Sequence, residues 1–203
     1  MKVILASQNA KKIKEIEQIL RGVEVSSYTD WIDLVEICEN GESFEQNAMI
    51  KAKEIANRLQ LSEDYLVLAD DSGLCVEALG GMPGVYSARY ANLGVCDTNA
   101  SDEANNLKLL ESLDEVGVCE SKAAFVCAIA VVGMIKGARV EQCFCGVLEG
   151  KVGHYELDNE AFGYDLLFIP DGHTQTLNHI AEKNSLSHRY LALKQFQAFV
   201  NQR

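Results

Sequence analysis

The chain has 203 residues, 48% of them apolar and 24% charged, and a formal net charge of −12. This composition is ordinary for a globular protein, and the length suits one domain, residues 1–203, with room for two lobes and a sizeable core. The negative charge argues against a nucleic-acid or anionic-membrane binder, whose affinity needs clustered Lys and Arg. A small polyanion held by a few local cations remains compatible with it.

In chain order, MKVILASQNAKK contains a short apolar run and neither a signal-peptide core nor a membrane span. Val3–Ala6 reads as a buried strand, Ser7–Lys12 as a polar loop, and Ile13, Ile16, Ile19 and Leu20 recur at helical spacing. A helix N-terminus after such a loop is a natural phosphate site. Ser7 and Asn9 offer hydrogen-bond donors there and Lys12 a point charge. The same residues also suit a plain helix cap at Asn9 with solvated lysines. No P-loop is present, because its flanking glycines are missing.

Val23–Tyr28 is expected to be a second strand, and Glu36–Glu42 an acidic loop. Ser43 reads as the cap of a helix over Phe44–Leu59, with Gln46 completing a capping box. Lys51 and Lys53 lie on that helix. Tyr65–Ala69 is an apolar run of strand length. It is expected to end at Asp70-Asp71-Ser72-Gly73, followed by glycine turns at Gly80-Gly81 and Pro83-Gly84. Paired acids at the carboxyl end of a strand suggest an active site, since α/β sheets bind ligands there. Neighbouring carboxylates can hold a divalent cation, and one can deprotonate a water. The same four residues also compose an ordinary solvated turn.

Further on, Ser101 reads as the N-cap of a helix whose apolar positions are Ala104, Leu107, Leu110 and Leu113. Ala123–Met134 and Val140–Leu148 read as two long antiparallel strands turned at Gly137. Gly146, Gly150 and Gly153 are expected to punctuate a bend. Phe162-Gly163-Tyr164-Asp165 offers an aromatic platform for a flat ring and an acceptor for base N–H groups. A strand over Leu166–Ile169 follows. Ser187 is a candidate cap for the C-terminal helix, which places His188 and Arg189 in a first turn where the dipole disfavours cations. A ligand would give them a reason to be there.

Seven cysteines, Cys38, Cys75, Cys96, Cys119, Cys127, Cys143 and Cys145, form no CxxC pair and no zinc spacing. Their odd number and apolar settings suggest packing in a reducing cytoplasm.

Four blocks taken together resemble the inosine triphosphate pyrophosphatases. They are Ser7-x-Asn9-x-x-Lys12, the long run Ala69–Tyr90 (ADDSGLCVEALGGMPGVYSARY), FGYD at Phe162–Asp165 with Phe168–Gly172, and Lys183-Asn184-x-x-Ser187-His188-Arg189. They span nearly the whole chain in family order, and the second is the most specific.

The resemblance implies an α/β fold, an elongated mixed sheet flanked by helices with two lobes and a central cleft, usually as a homodimer. It implies Mg²⁺-dependent hydrolysis of ITP, dITP and XTP to the monophosphate and pyrophosphate. Carried onto this chain, Ser7, Asn9, Lys12 and Lys51 would hold the triphosphate. Asp71 would activate water beside Mg²⁺, with Asp70, Ser72 and the nearby Glu39 around it. Phe162 would stack on the purine, with Gly163 and Tyr164 beside it. Asp165, Lys183, His188 and Arg189 would meet the base edge and sugar end.

The chain departs from the family pattern at Gln46 and Cys38, where acids are usual or frequent, and at Ala161 and Leu166 around FGYD. These departures leave open a shifted nucleotide specificity, or a nucleotide-binding relative with a weakened metal site.

Overall fold

The computed structural model describes residues 2–20, 22–59, 64–96, 98–155 and 163–202. Phe162 and the approach through Ala161 lie outside the described residues. The fold is α/β, built on a six-stranded sheet of order β2-β1-β3-β4-β5-β6. Strand β1 (Lys2–Leu5) runs parallel to β2 (Glu24–Ser27) and to β3 (Tyr65–Val76), with Lys2 opposite both Glu24 and Tyr65. Strand β6 (Phe168–Pro170) is antiparallel to β5 (Ala138–Gly153), so the sheet is mixed, as expected.

β4 (Glu120–Ile135) joins β5 through Lys136-Gly137, with φ of 49° and 73°. Two central residues in the left-handed region match the twist of a tight antiparallel hairpin. The Asp64 carboxylate accepts the N–H of Lys136 and, at 3.2 Å, that of Gly137.

Helix α1 (Ala10–Ile19) follows β1, and Asn9 caps it by accepting from the N–H groups of Lys11 and Lys12. Helix α2 spans Phe44–Leu59 as the pattern predicts. Ser43 Oγ accepts from Gln46 N at 3.3 Å, but the Gln46 side chain reaches one residue further back than a capping box requires, to Glu42 N at 2.8 Å. Helix α3 (Asp102–Glu115) is capped by Ser101. The short α4 (Lys183–Leu186) precedes α5 (His188–Asn201).

Four sequence expectations are corrected. First, β3 does not stop at the paired acids but runs on through Asp70, Asp71, Ser72 and Gly73 to Val76. Turn-forming composition loses here to tertiary contacts. Gly73 lies so close to the Ser87 side chain and Gly84 O that any Cβ would overlap them. Second, β5 runs through all three of its glycines to Gly153, which mark close backbone approach rather than a bend. Third, Leu166 belongs to a 3₁₀ turn over Gly163–Leu166, and β6 begins only at Phe168. Fourth, the buried face of α3 is Asn105, Asn106, Leu109, Ser112 and Leu113, while Leu107 is exposed.

The chain divides into two compact units, each with its own core. The first comprises residues 1–71, 127–146 and 188–203. Its core combines Val3, Leu5, Leu66, Leu68, Ile129 and Val131 from strands with Ile16 and Leu20 from the α1 region and Leu193 and Phe196 from α5. Phe144 meets Phe196 edge-on at 5.9 Å and Phe199 at 5.3 Å. The second comprises residues 72–126 and 147–187. There Leu74, Val76, Phe125, Val152 and Phe168 pack with Leu109, Leu113, Tyr164 and Leu177. Phe125 and Phe168 lie 4.7 Å apart.

Candidate active site

Successive side chains of a strand leave on opposite faces. The adjacent acids of β3 accordingly meet different partners, and the first unit carries two linked charge clusters. Asp70 is buried. Its Oδ2 accepts from Arg189 Nε at 2.8 Å, and its Oδ1 lies 2.5 Å from Lys12 Nζ. Cys127 Sγ on β4 donates to Oδ2 at 3.1 Å. Arg189 also donates from Nη1 to Glu15 Oε2 at 2.5 Å. Lys12 and Glu15 stand three residues apart on α1, so one helix face supplies a cation to Asp70 and an anion to Arg189.

Burial alone would raise the Asp70 pKa, but Arg189 and Lys12 hold it well below the usual carboxylate range. Burial pushes the Cys127 thiol up, and the Asp70 charge pushes it further, so it stays a protonated donor. Burial also opposes the Arg189 charge, yet Asp70 and Glu15 more than restore it.

Asp71 belongs to the other cluster. Its Oδ1 is 3.0 Å from Lys51 Nζ, and the same ammonium lies 2.9 Å from Glu39 Oε2. Lys51 is about two turns into α2, on its buried face, rather than solvated like most helical lysines. Burial works against its charge, but Asp71, Glu39 and Asp70 together win and raise its pKa. At Asp71 the balance goes the other way. Burial raises its pKa, the Glu39 charge adds to that, and Lys51 with Lys12 only partly offsets them. The second carboxylate oxygen, Asp71 Oδ2, is buried and has no hydrogen-bond partner among the described residues.

The acidic loop that presents Glu39 is tied to the start of α2. Asn47 Oδ1 accepts from Gly41 N at 2.8 Å, beside the Gln46–Glu42 bond. Gln46 thus performs this acceptor task with its amide oxygen, where an acid is usual in the family. Cys38 is an exposed free thiol.

Ser7 and Asn9 sit at the N-terminus of α1, where Ser7 Oγ accepts from Asn9 N at 3.2 Å. His188 and Arg189 open α5 as expected, but both are buried. Burial, reinforced by the Arg189 charge, depresses the His188 pKa to about 3. His188 therefore brings no charge to the helix N-terminus, and the cationic Arg189 is compensated by two acids. Gly146 allows this placement: a Cβ there would overlap His188 O and lie 2.6 Å from Ala192 N.

The second unit holds the remaining candidates. Ser72 follows Asp71 on β3. Asp165 Oδ2 accepts from Lys183 Nζ at 2.8 Å. Tyr164 is buried and donates its hydroxyl to Ser87 O at 2.8 Å. Gly163, at φ 58°, donates its N–H to Asp102 Oδ2 at 3.1 Å and accepts from Asn106 Nδ2 at 3.0 Å.

Glu15, Cys127, Asp102 and Asn106 escape sequence reading. The three-residue step from Lys12 to Glu15 was a usable signal. Cys127 sits in a uniformly apolar run, Asp102 falls in the first turn of the helix that Ser101 caps, and Asn106 lies off the predicted stripe of Ala104, Leu107, Leu110 and Leu113.

A mixed sheet whose strand β3 carries two buried acids, each matched to lysines or arginine, defines an α/β enzyme that handles an anionic substrate. The Ham1 family model matches residues 3–199, and the chain belongs to that family. It is 40% identical over 198 residues to a dITP/XTP pyrophosphatase of Campylobacter jejuni, covering 96% of this chain and 94% of that protein. A dITP/XTP pyrophosphatase of Nautilia profundicola is 42% identical over 198 residues, with the same two coverages. Among solved structures, a HAM1 protein from Coxiella burnetii superposes with a TM-score of 0.85 at 33% identity, covering 100% of both chains. The Staphylococcus aureus Ham1 protein gives 0.82 at 33% identity, covering 100% of this chain and 99% of that one.

Proposed function

We propose that this protein is a nucleoside triphosphate pyrophosphatase that hydrolyses ITP, dITP and XTP to the monophosphate and pyrophosphate. The observation that carries this reading is the Asp71–Lys51–Glu39 cluster, with one buried Asp71 oxygen left open beside an ammonium. The named activity of the relatives supports the same substrates.

The donor set fits Mg²⁺. Among the described residues no three of His, Cys, Asp and Glu gather closely enough to cage an ion alone. Mg²⁺ is usually held by one or two carboxylates completed by substrate phosphates and water. Asp71 and Glu39 would hold it. The ion would supply charge neutralisation to the phosphate oxygens and to the leaving pyrophosphate.

Asp71 is the general base. Its second oxygen, Oδ2, is buried and has no hydrogen-bond partner among the described residues, so it can accept a proton from water. Lys51 and Lys12 stabilise negative charge on the phosphates, with Ser7 and Asn9 at the α1 N-terminus beside them. Asp70 takes a different role from that of a metal ligand. Both its oxygens are engaged by Lys12, Arg189 and Cys127, so it positions those groups. Arg189, whose Nε and Nη1 serve Asp70 and Glu15, is likewise an anchor at the phosphate end rather than a reader of the base edge. Asp165 and Lys183, with Phe162, are assigned to the nucleoside end.

Free thiols at all seven cysteines support action in a reducing cytoplasm. No described helix is long and apolar enough to cross a membrane. The resemblance supports a homodimer, for which light scattering should give twice the chain mass.

The test is pyrophosphate release with Mg²⁺ from ITP, dITP, XTP, GTP and ATP in parallel. A strong preference for the first three is expected. Equal turnover of all five would overturn the substrate assignment, and release of orthophosphate alone would overturn the reaction.

A further inference from the structure

The first three residues of the 3₁₀ turn Gly163–Leu166 are each tied down from outside. Tyr164 is held through its hydroxyl by Ser87 O, and Asp165 through its carboxylate by Lys183. Gly163 has no side chain to hold. Its two backbone polar groups are held instead, both by α3.

Asp102 and Asn106 are four residues apart and therefore share one face of the helix. Asp102 accepts the Gly163 N–H, which belongs to the peptide plane joining residues 162 and 163. Asn106 donates to the Gly163 carbonyl, which belongs to the next plane. Peptide units are planar, so fixing the planes on both sides of one Cα fixes its φ and ψ. Gly163 is the residue that most needs this. At φ 58° it lies in the left-handed region, and glycine ranges widely when nothing restrains it. The course of the turn into Tyr164 and Asp165 depends on those two angles.

We propose that Asp102 and Asn106 are positioning residues for base selectivity, which clamp the two peptide planes of Gly163 and so set the segment Gly163–Asp165 for the purine. The inference rests on the pyrophosphatase reading, which assigns that segment to the nucleoside end. Asn106 is 5% exposed, and its Oδ1 has no partner among the described residues. Truncating it removes one bond to Gly163 and little else that is polar.

The experiment compares Asp102→Ala, Asn106→Ala and Asp102→Asn with wild type, first by calorimetric titration with ITP and ATP, then by kcat and KM. One lost hydrogen bond corresponds to about a five-fold effect. Both alanine variants should bind ITP about five-fold more weakly and raise its KM by a similar factor, with ATP binding and kcat changed much less. Asp102→Asn keeps an acceptor oxygen for the Gly163 N–H. It should retain wild-type selectivity while losing the stabilising charge at the first turn of α3.

A merely structural role would lower the melting temperature in all three variants without moving the ITP-to-ATP ratio, and that outcome overturns the inference. If Asn106→Ala does not fold, Asp102→Ala against Asp102→Asn decides alone. The titration, run in EDTA without Mg²⁺, reads the pocket without turnover. An inactive wild type would therefore sink the proposed activity, whereas an unchanged affinity ratio would sink this inference.

Discussion

Asp70 and Asp71 are neighbours in sequence with the same side chain, and their replacement by asparagine should have different consequences. Asp70→Asn removes the charge that faces Arg189 and Lys12. The Arg189 side chain is 3% exposed and the Asp70 side chain fully buried, so the guanidinium loses a close anion and cannot turn to water in its place, though it keeps Glu15. Removing one partner of a buried ion pair costs about 3–5 kcal/mol. For a chain of this length each kcal/mol lowers the melting temperature by about 2–4 °C, so the expected loss is roughly 6–20 °C.

Asp71→Asn should cost less, because it relieves the burial penalty on the Asp71 carboxylate while Lys51 loses one acid and keeps Glu39. The folded pKa of Asp71 is raised, so the fold disfavours its ionised form. Stability from this group is greatest at low pH and declines as pH rises from the unfolded value of 3.8 through the folded value. Asp70 has the opposite sign. Its contribution is complete above 3.8 and is lost as pH falls toward its lower folded pKa.

The assay is urea denaturation in EDTA at pH 7, paired with pyrophosphate release from ITP. Asp71→Asn is expected to lose at least a thousand-fold in kcat, the order that a positioned base and its metal contacts contribute. Near-normal turnover in Asp71→Asn would remove it as the base. A stability loss under about 1 kcal/mol in Asp70→Asn would refute the electrostatic account of that residue, since it is well below the range for a broken buried pair.

Three shorter predictions concern other parts of the molecule. Gly146→Ala should cost about 1–3 kcal/mol or more, because the new methyl meets the α5 backbone at His188 and Ala192 rather than a movable side chain; an unchanged urea midpoint would contradict the close approach. His188 should show a flat NMR titration from pH 5 to 8, since its pKa is depressed to about 3. Its fold favours the neutral form, so stability should fall as pH drops below 6.5, by at most about 1.4 kcal/mol per pH unit, and a His188 resonance titrating near 6.5 would refute its burial. Cys145, pushed up to about 12 by burial and by Glu45, should alkylate with iodoacetamide at pH 8 far more slowly than the exposed Cys38, Cys96 and Cys119, as read by peptide mass spectrometry.

What the amino-acid sequence determined by itself was local. The 3.6-residue pattern and Ser43 set the bounds of α2, Asn9 and Ser101 marked the caps of α1 and α3, and Gly137 marked the β4–β5 hairpin. These features depend on residues within a few positions of each other, so composition and spacing suffice. The resemblance then pointed to the family and to the residues worth watching.

Tertiary structure decided the rest. Asp70 to Gly73 has turn composition, yet it continues β3, because neighbouring backbone and the packing of Gly73 under Ser87 outweigh local preference. The two adjacent acids looked like one metal-binding pair. The alternation of a strand sends them to separate partners, Lys12 with Arg189 for one and Lys51 with Glu39 for the other. Those partners come from positions as distant as Lys12 and Arg189, and nothing in local spacing encodes which cation meets which acid. Their neighbouring charges then give the two buried aspartates pKa shifts of opposite sign, because one meets two close cations and the other shares a single lysine with a like charge.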